Sequence, residues 1–428
     1  MKNQSQKWTL SNMLTDLDPK YKSSELAKSA SSIIKKCAHR GFCNGTCPTF
    51  IELSDQHSGP RGRIYLIRAF LEGKRLSLKE RNLLDLCITC RSCQTTCPAN
   101  IEFGHLITIA RTLIGKEYPR PLQEKIVRWL LQKVLPYKNR FALALTTARL
   151  LNPLLPRSMS EKIPSKEKSL TKRNSKKKRF VLLLEGCAQP SITPNTNIAA
   201  INVLNRLGIS VKKAQKVGCC GAIHLSLGHL EKAKQLMKNN IDAWLQEIEK
   251  WQGINNGAEA ILSLSSSCEL MLTEYGKYLA DDLEYSKKAR KISSLVKNIG
   301  EILLEEDLAN FVVSKNEHKV ALHSPCSLRN GLEKHQIPEE LLTKLGVTIV
   351  KTEDNHICCG AGGTYSILQT TMSQKLLKNK ITALNFNSPT KILTSNASCQ
   401  SHIASKSNLP VTHWIEHIER MLSENSIF

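Results

Sequence analysis

The sequence lacks long apolar runs. Hydrophobic residues make up 41% of its 428 residues, but no stretch approaches the roughly 18 uninterrupted apolar residues that a membrane span needs. The first ten residues, MKNQSQKWTL, also lack the apolar core of a secretory signal. We therefore expect a cytoplasmic protein, with peripheral attachment to the cytoplasmic face of the inner membrane as the alternative.

Acidic residues are scarce, with 37 Asp and Glu against 61 Lys and Arg and a formal charge of +24. The excess is concentrated in two stretches: residues 121–155 carry six basic residues against one acid, and residues 156–180 carry ten against two. The second stretch has no aromatic residues interleaved among its lysines to stack on bases. We expect it to be a solvated tether, and we expect no nucleic-acid partner.

The first basic stretch has helical periodicity. Its apolar residues at helical spacing are Leu122, Ile126, Trp129, Leu130 and Val134. This pattern predicts a basic amphipathic helix that packs on the core, and contact with an anionic membrane is the alternative.

Arrangements for nucleophilic catalysis are also missing, because no Ser-His-Asp or Cys-His pattern stands out. The glycine cluster Gly360-Ala361-Gly362-Gly363 lacks the lysine of a phosphate-binding loop. The sequence does contain 15 cysteines. A reducing compartment disfavours disulfides, so these cysteines are better explained as metal ligands.

Two cysteine motifs near the N-terminus match an iron-sulfur pattern. Residues 87–98 follow C-x2-C-x2-C-x3-C-P, with ligands Cys87, Cys90, Cys93 and Cys97. In two-cluster ferredoxins the fourth cysteine of such a run ligates the other cluster. A second motif should therefore exist, and residues 37–48 supply it with Cys37, Cys43 and Cys47, while Arg40 occupies the second ligand position.

The ferredoxin pairing rule predicts one complete cluster and one abnormal cluster. The complete one is assigned to Cys87, Cys90, Cys93 and Cys47. The other is assigned to Cys37, Cys43 and Cys97, with a gap at Arg40, because a guanidinium has no lone pair for iron. Three outcomes are open at the second site: a three-iron cluster, a four-iron cluster completed by water or His39, or no cluster. Zinc is the alternative for the whole domain.

Gly59-Pro60-Arg61-Gly62-Arg63 precedes an apolar-periodic segment through Leu66 to Leu71. Pro60 is predicted to start a helix whose arginines are solvated. The alternative is that Arg61 and Arg63 offset the negative charge of a cluster or dock a partner.

The remainder of the chain repeats one cysteine module. The first copy contains Cys187, Cys219, Cys220 and Cys268, and the second contains Cys326, Cys358, Cys359 and Cys399. The first three positions are offset by 139 residues and the fourth by 131. Two copies of four cysteines predict two sites.

Each copy has an α/β pattern in which short strands alternate with helices. The predicted strands are 180–184, 209–211 and 260–264 in the first copy, and 320–323, 347–350 and 392–394 in the second. Parallel strands should bring the cysteines that follow them to one sheet edge. The thiols would then hold an extended iron-sulfur cluster or, alternatively, zinc. His323 and His356 flank the second site, where a structural role is expected and a ligand role is the alternative.

These patterns predict an α+β multidomain protein. A helical ferredoxin-like domain with two 4Fe-4S sites is expected at residues 1–120, and two α/β cysteine-rich repeats are expected at residues 180–300 and 301–428. Between them we expect a basic helical bridge at residues 121–155 and a basic linker at residues 156–179.

The ferredoxin pair followed by two cysteine-cysteine-glycine modules resembles the iron-sulfur subunits of bacterial glycolate oxidase, also called glycolate dehydrogenase. The likeness spans nearly the whole chain. It is carried by GPRGRIYLI at 59–67, CITCRSCQTTCP at 87–98, EGCAQP at 185–190, PNTN at 194–197, NNIDAW at 239–244, GAEAI at 257–261, ICCGAGGTY at 357–365 and THW at 412–414. Arg40 and Ser324 stand where that family's pattern has cysteine.

The resemblance implies an electron-transfer subunit of a glycolate dehydrogenase complex. Partner subunits with FAD would oxidise glycolate to glyoxylate, and this chain would pass electrons toward a quinone or another acceptor without a substrate site of its own. The alternatives are a subunit of a lactate or glycerol-3-phosphate dehydrogenase, and a degenerate zinc-binding scaffold.

Overall fold

The computed structural model describes residues 14–154, 163–164, 170–171, 179–251, 257–308, 311 and 319–424. The chain divides between Pro119 and Arg120 into two compact units. Most of the predicted linker at 156–179 lies outside the described residues. None of the described helices is both long and apolar enough to cross a bilayer.

The N-terminal unit is helical. Its helices are α1 (Glu25–Lys35), α2 (Pro48–Leu53), α3 (Pro60–Leu71), α4 (Leu78–Asp85), α5 (Ser92–Thr95) and α6 (Phe103–Glu117). Three of them, α1, α3 and α6, pack around one apolar core that includes Ile34, Phe70 and Ile107. The cysteine motifs occupy the loops that connect these helices, so the core fixes the positions from which the thiols project.

The C-terminal unit contains two small parallel sheets. The strands are β1 (Arg179–Leu184), β2 (Ile209–Lys212), β3 (Ile261–Ser263), β4 (Lys319–Leu322), β5 (Thr348–Val350), β6 (Lys391–Thr394) and β7 (Val411–His413). The first sheet has the order β2-β1-β3 and the second β5-β4-β6-β7, with every pairing parallel. The six predicted strands are present in the predicted parallel arrangement. The pattern did not predict β7, because three residues with two polar side chains give too little alternation.

Helices flank both sheets. They are α7 (Leu122–Val134), α8 (Lys138–Leu150), α9 (Gln189–Ile192), α10 (Pro194–Arg206), α11 (Ala222–Ser226), α12 (Leu230–Lys250), α13 (Ser266–Thr273), α14 (Tyr275–Tyr278), α15 (Tyr285–Ser294), α16 (Ile299–Glu305), α17 (Gln336–Lys344), α18 (Tyr365–Leu368), α19 (Thr370–Leu384), α20 (Ala397–Ala404) and α21 (Trp414–Glu424). A π-helical turn, Ser327–Gly331, follows Cys326.

The two modules share one core. Apolar residues of β1, β3, β4 and β6 belong to a single buried cluster together with residues of α10 and α21. Polar contacts join the same two helices, since Thr196 Oγ1 donates to Glu416 Oε1 at 2.5 Å and Asn202 Nδ2 donates to Glu419 Oε1 at 3.1 Å. The repeats therefore form one folded body, which fixes the positions of both cysteine sites.

The helix α7 has the predicted position but the opposite orientation. Its buried residues are Arg128, Leu131 and Gln132, and Gln132 Nε2 lies 2.6 Å from His229 Nε2 of the first module. Its apolar face is exposed, with Leu122 at 72% and Trp129 at 55%. The prediction of a core-facing apolar stripe is wrong here, because buried polar partners hold the other side of the helix.

Candidate metal centres

Four thiols of the N-terminal unit line one small, mostly apolar cavity. They are those of Cys47, Cys87, Cys90 and Cys93, the set that the ferredoxin pairing rule assigns to the complete cluster. Cys47 caps the N-terminus of α2, and the other three lie on the loop and short helix that follow α4. Desolvation raises the pKa of Cys93 well above its ordinary value, and the neighbouring thiols raise it further. A cationic metal centre is the partner that would favour the thiolate forms.

Arg63 lies at this cavity, where the alternative interpretation of the Gly59–Arg63 segment placed a cation. It is 1% exposed, so the expectation of a solvated arginine is wrong at this position. Its guanidinium donates to Leu83 O at 2.8 Å and Thr49 Oγ1 at 2.9 Å, and Nη1 lies 3.8 Å from Cys47 Sγ. Pro60 does begin α3, as predicted. The first turn of α3 therefore places a buried positive charge beside the thiol of Cys47.

The second group, Cys37, Cys43 and Cys97, is half-buried. Desolvation raises the pKa of Cys43 to about 11, with Cys37 and Cys97 as further contributors. Desolvation also raises the pKa of Cys37, and Arg61 opposes that rise. The three thiols therefore lie close enough to interact, and this site is nearer to solvent than the first.

Arg40 is exposed, while its neighbour His39 turns inward. His39 has a left-handed backbone, with φ of 49°, and its ring centroid lies 4.4 Å from that of Tyr65. Both ring nitrogens are buried and have no hydrogen-bond partner among the described residues. Desolvation lowers the pKa of His39, which favours the neutral ring, in which one nitrogen offers a lone pair.

The first repeated module brings its four cysteines together. Cys187, Cys219, Cys220 and Cys268 form a chain of hydrogen-bonded thiols in that order. The neighbouring thiols of Cys187 and Cys220 hold the pKa of Cys219 well below its ordinary value, whereas the same contacts raise the pKa of Cys187. Such sharing of one negative charge among clustered thiols is suited to metal binding.

Asn240 holds the double-cysteine turn of this module. Its Oδ1 accepts the N–H of Gly218 at 2.8 Å, and its Nδ2 donates to Cys219 O at 3.0 Å. Tyr275 Oη donates to Cys220 O at 3.0 Å. Gly221 follows with φ of +97°, a conformation that L-residues rarely adopt. Side chains distant in the sequence therefore fix the conformation of this turn through buried hydrogen bonds to its backbone.

The second module assembles Cys326, Cys358, Cys359 and Cys399 in the same way. Cys326 Sγ lies 3.9 Å from Cys358 Sγ, and Cys399 contacts Cys359. Gly360 again has positive φ, and a Cβ there would lie 2.7 Å from Ser373 O. The hydroxyl of Ser373 donates to Gly360 O at 2.8 Å. In both modules the turn thus packs tightly on the helix that follows it.

The surroundings of the second module differ from those of the first. His323 is 1% exposed, and desolvation holds its pKa well below the ordinary value, so its imidazole is neutral. One of its ring nitrogens lies within 4.8 Å of the sulfurs of both Cys359 and Cys399. His356 is exposed, and the Ser324 hydroxyl is buried and unpartnered among the described residues.

Lys380 adds a buried cation to this module. It is 2% exposed and donates from Nζ to Asp354 O at 2.7 Å. Desolvation lowers its pKa, and the thiols of Cys359 and Cys358 oppose that shift. No sequence signal marked Lys380, because it lies within an ordinary amphipathic helix. Asn240 lies within NNIDAW, a segment that carries the family resemblance, but that segment did not indicate what the side chain contacts.

Comparisons with known proteins agree with this arrangement. The family model of a 4Fe-4S dicluster domain matches residues 33–101. The model of a cysteine-rich domain matches twice, at residues 181–273 and 320–404. The matched regions contain all 15 cysteines, so the chain carries an iron-sulfur cofactor.

Relatives cover nearly the full length. The glycolate oxidase iron-sulfur subunit of Escherichia coli K12 is 41% identical over 413 residues, which are 96% of this chain and 100% of that protein. A probable glycolate oxidase iron-sulfur subunit of Bacillus subtilis 168 is 28% identical over 85% of this chain and 86% of its own length. Lactate utilization protein A of Bacillus cytotoxicus is 24% identical over 58% of this chain and 99% of its own.

A solved structure shares the fold. The crystal structure of a hypothetical protein from Helicobacter pylori superposes with a TM-score of 0.52 at 9% sequence identity, covering 94% of this chain and 73% of that chain. At this identity the similarity concerns the fold alone.

Proposed function

This chain belongs to the family of glycolate oxidase iron-sulfur subunits, and we propose that it carries electrons from a flavin subunit that oxidises glycolate to glyoxylate toward a quinone or similar acceptor. The observation that carries the proposal is the cavity lined by Cys47, Cys87, Cys90 and Cys93. Four thiolates around one cavity suit a cubane cluster. When bound, such a cluster supplies one-electron redox chemistry, which suits stepwise transfer from a two-electron flavin.

The second thiol group is the better candidate for exchanging electrons with another protein. Cys37, Cys43 and Cys97 are half-buried, whereas the first group is buried. Phe42, beside Cys43, is 60% exposed, and Tyr65, which packs on His39, is 47% exposed. Exposed aromatic residues are enriched where proteins bind one another. We infer that a partner subunit covers this end of the N-terminal unit.

The spacing of the N-terminal thiols supports a cluster over a zinc ion. A tetrahedral zinc site with Zn–S bonds of about 2.3 Å places its sulfurs about 3.8 Å apart. Among the described residues, a single group of three possible ligands lies within 4.8 Å of one another, and it contains none of these seven cysteines. Iron, acid-labile sulfide and zinc measured on anaerobically purified protein should therefore show iron and sulfide as the main components.

We predict that Cys90→Ser blocks electron delivery without blocking substrate oxidation. In the complex with its flavin subunits, glycolate should still bleach the flavin, while reduction of the acceptor should fall to the background rate. Stopped-flow absorbance separates the two steps. Ser92→Ala is the matched control, because Ser92 is a buried residue two positions after Cys90, at the start of α5, and it should retain acceptor reduction.

Full acceptor reduction by Cys90→Ser would refute the electron-transfer role and would favour the zinc scaffold. The choice of substrate is tested in the same assay. If lactate or glycerol-3-phosphate bleaches the flavin and glycolate does not, the chain serves one of those dehydrogenases instead.

The exposed face of α7 supports peripheral contact with an anionic membrane. Leu122, Ile126, Trp129 and Leu130 are 72%, 49%, 55% and 47% exposed, and they follow one helical face. Lys125 and Lys133 lie on the same helix, and α8 exposes Leu143 at 70% and Leu150 at 76%. An apolar face bordered by lysines is the pattern of an interfacial helix, because lysines pair with anionic headgroups.

We therefore expect the purified protein to bind vesicles that contain phosphatidylglycerol but not vesicles of phosphatidylcholine alone, and to release them as salt rises. Trp129→Ser combined with Leu130→Ser should abolish binding in a co-sedimentation assay. Leu283→Ser is the control, because Leu283 is a fully exposed leucine outside this helix. Equal binding by the double variant would refute membrane contact through this face.

A further inference from the structure

We propose that His323 is a metal ligand of the second cysteine module, so that this module binds a tetrahedral first-row metal through a mixed imidazole and thiolate set. The three ligand atoms of His323, Cys359 and Cys399 all lie within 4.8 Å of one another, and all three residues are buried. Ligand atoms around one tetrahedral ion are separated by about 3.5 to 3.8 Å. The three ligand atoms are therefore close to the separation at which they could bind one metal ion.

The orientation of His323 fits this role. Its backbone N–H donates to Leu393 O at 2.8 Å, which ties it to the neighbouring strand β6. Its Nδ1 lies 2.9 Å from the hydroxyl oxygen of Thr394, a fully buried residue. A histidine that binds metal through Nε2 normally donates its Nδ1–H to such an acceptor, which fixes the tautomer and the ring plane. The contact with Thr394 therefore leaves Nε2 for the metal.

The remaining ligands and charges are also in place. Cys358 interacts with Cys359, and its sulfur lies 3.9 Å from that of Cys326, so these two thiols are the nearest candidates for a fourth ligand. Several thiolates would leave the site with excess negative charge. The ammonium of Lys380, which interacts with the thiols of Cys358 and Cys359, offsets part of that charge.

The first module lacks this ligand. The 139-residue offset that aligns Cys187 with Cys326 also aligns Leu184 with His323. Leu184 is the last residue of β1 and is buried at 1% exposure. The first module instead places His224 on the turn after Gly221, near Cys219. The two repeats therefore differ in their ligand sets, although their cysteines match.

The expected element is zinc or iron, since imidazole and thiolate ligands suit both. X-ray absorption at the zinc and iron edges of the full chain decides between them. We expect imidazole scattering at one edge in the wild type and its loss in His323→Leu, which installs the residue of the first module. Metal analysis should show loss of the metal of this module in His323→Leu but not in His413→Leu. His413 is the control because it is also a buried histidine of the same sheet.

Two further variants keep the proposal testable if His323→Leu fails to fold. His323→Cys should retain the metal and lose the imidazole scattering. Thr394→Val, which keeps the shape of the side chain, should weaken metal binding about 10- to 100-fold in a chelator competition. Imidazole scattering that persists without His323, or that disappears only in His39→Ala, would overturn the proposal. None of these readouts depends on electron transfer, so the proposal can fail or hold independently of the proposed function.

Discussion

Replacing Arg63 by leucine is expected to lower the reduction potential of the cluster that we propose at Cys47, Cys87, Cys90 and Cys93 by about 100 mV. Two unit charges separated by about 7 Å, at an effective dielectric constant of about 20, interact by roughly 2.4 kcal/mol. For a one-electron couple this corresponds to about 100 mV, because 59 mV is about 1.4 kcal/mol. Removal of a cation disfavours the more negative reduced state, so the potential becomes more negative. A redox titration followed by electron paramagnetic resonance measures the shift.

The burial of Arg63 makes the effect large. The side chain is 1% exposed, so water screens its charge little. The variant should also lose stability, because Leu83 O and Thr49 Oγ1 lose their donor, at about 1 to 3 kcal/mol for each group left unsatisfied. Arg63→Lys keeps the positive charge, so its reduction potential should stay close to that of the wild type. Comparison of the two variants separates the electrostatic effect from the loss of packing.

Arg61 provides the matched control. It lies two residues earlier on the same helix, and its charge acts on Cys37 and His39 of the second thiol group. Arg61→Gln should therefore leave the potential of the first cluster nearly unchanged. An equal shift in Arg61→Gln and Arg63→Leu, or an unchanged potential in Arg63→Leu, would contradict the assignment of the two arginines to different sites.

Arg63 also shows which features could be predicted from the sequence. The cysteine groups were predicted from the spacing within each motif, from the ferredoxin pairing rule and from the repeat offset. The burial of Arg63 depends on Thr49 and Leu83, which lie 14 and 20 residues away. Nothing near Pro60 distinguishes a solvated arginine from one that points into a cluster cavity. Contacts of this kind appear only once the helices are packed.

The helix α7 illustrates the same limit. Its apolar periodicity was detected correctly, but periodicity does not say which face a helix buries. Gln132 contacts His229 of the first module, and Arg128 is buried and pairs with Glu124 one turn earlier on the same helix. These polar contacts oppose the general preference for apolar burial. Likewise, the sequence placed His323 and His356 beside the second site without distinguishing them, and the structure brings only the ring of His323 within 4.8 Å of the sulfurs of Cys359 and Cys399.

The second thiol group carries the remaining large prediction. The loop between Cys37 and Cys43 turns through two left-handed residues, His39 and Gly41, with φ of 49° and 83°. Arg40 lies between them and is exposed. An exposed side chain on this loop can be exchanged without disturbing the core. A cysteine at position 40 would complete the spacing of residues 87–98 and offer a fourth thiolate.

Arg40→Cys is therefore expected to convert the second site into a conventional four-iron cubane. Arg40→Ser is the matched control, because it removes the same charge and bulk without supplying a thiolate. Compared with that control, Arg40→Cys should retain more iron after exposure to a chelator. After reduction by dithionite it should show the paramagnetic resonance of two interacting cubanes. Each cysteine motif supplies ligands to both sites, and this arrangement keeps the two sites close together. Identical iron retention and identical spectra in the two variants would mean that Cys37, Cys43 and Cys97 do not form a cluster site, and the pairing of the two motifs would have to be abandoned.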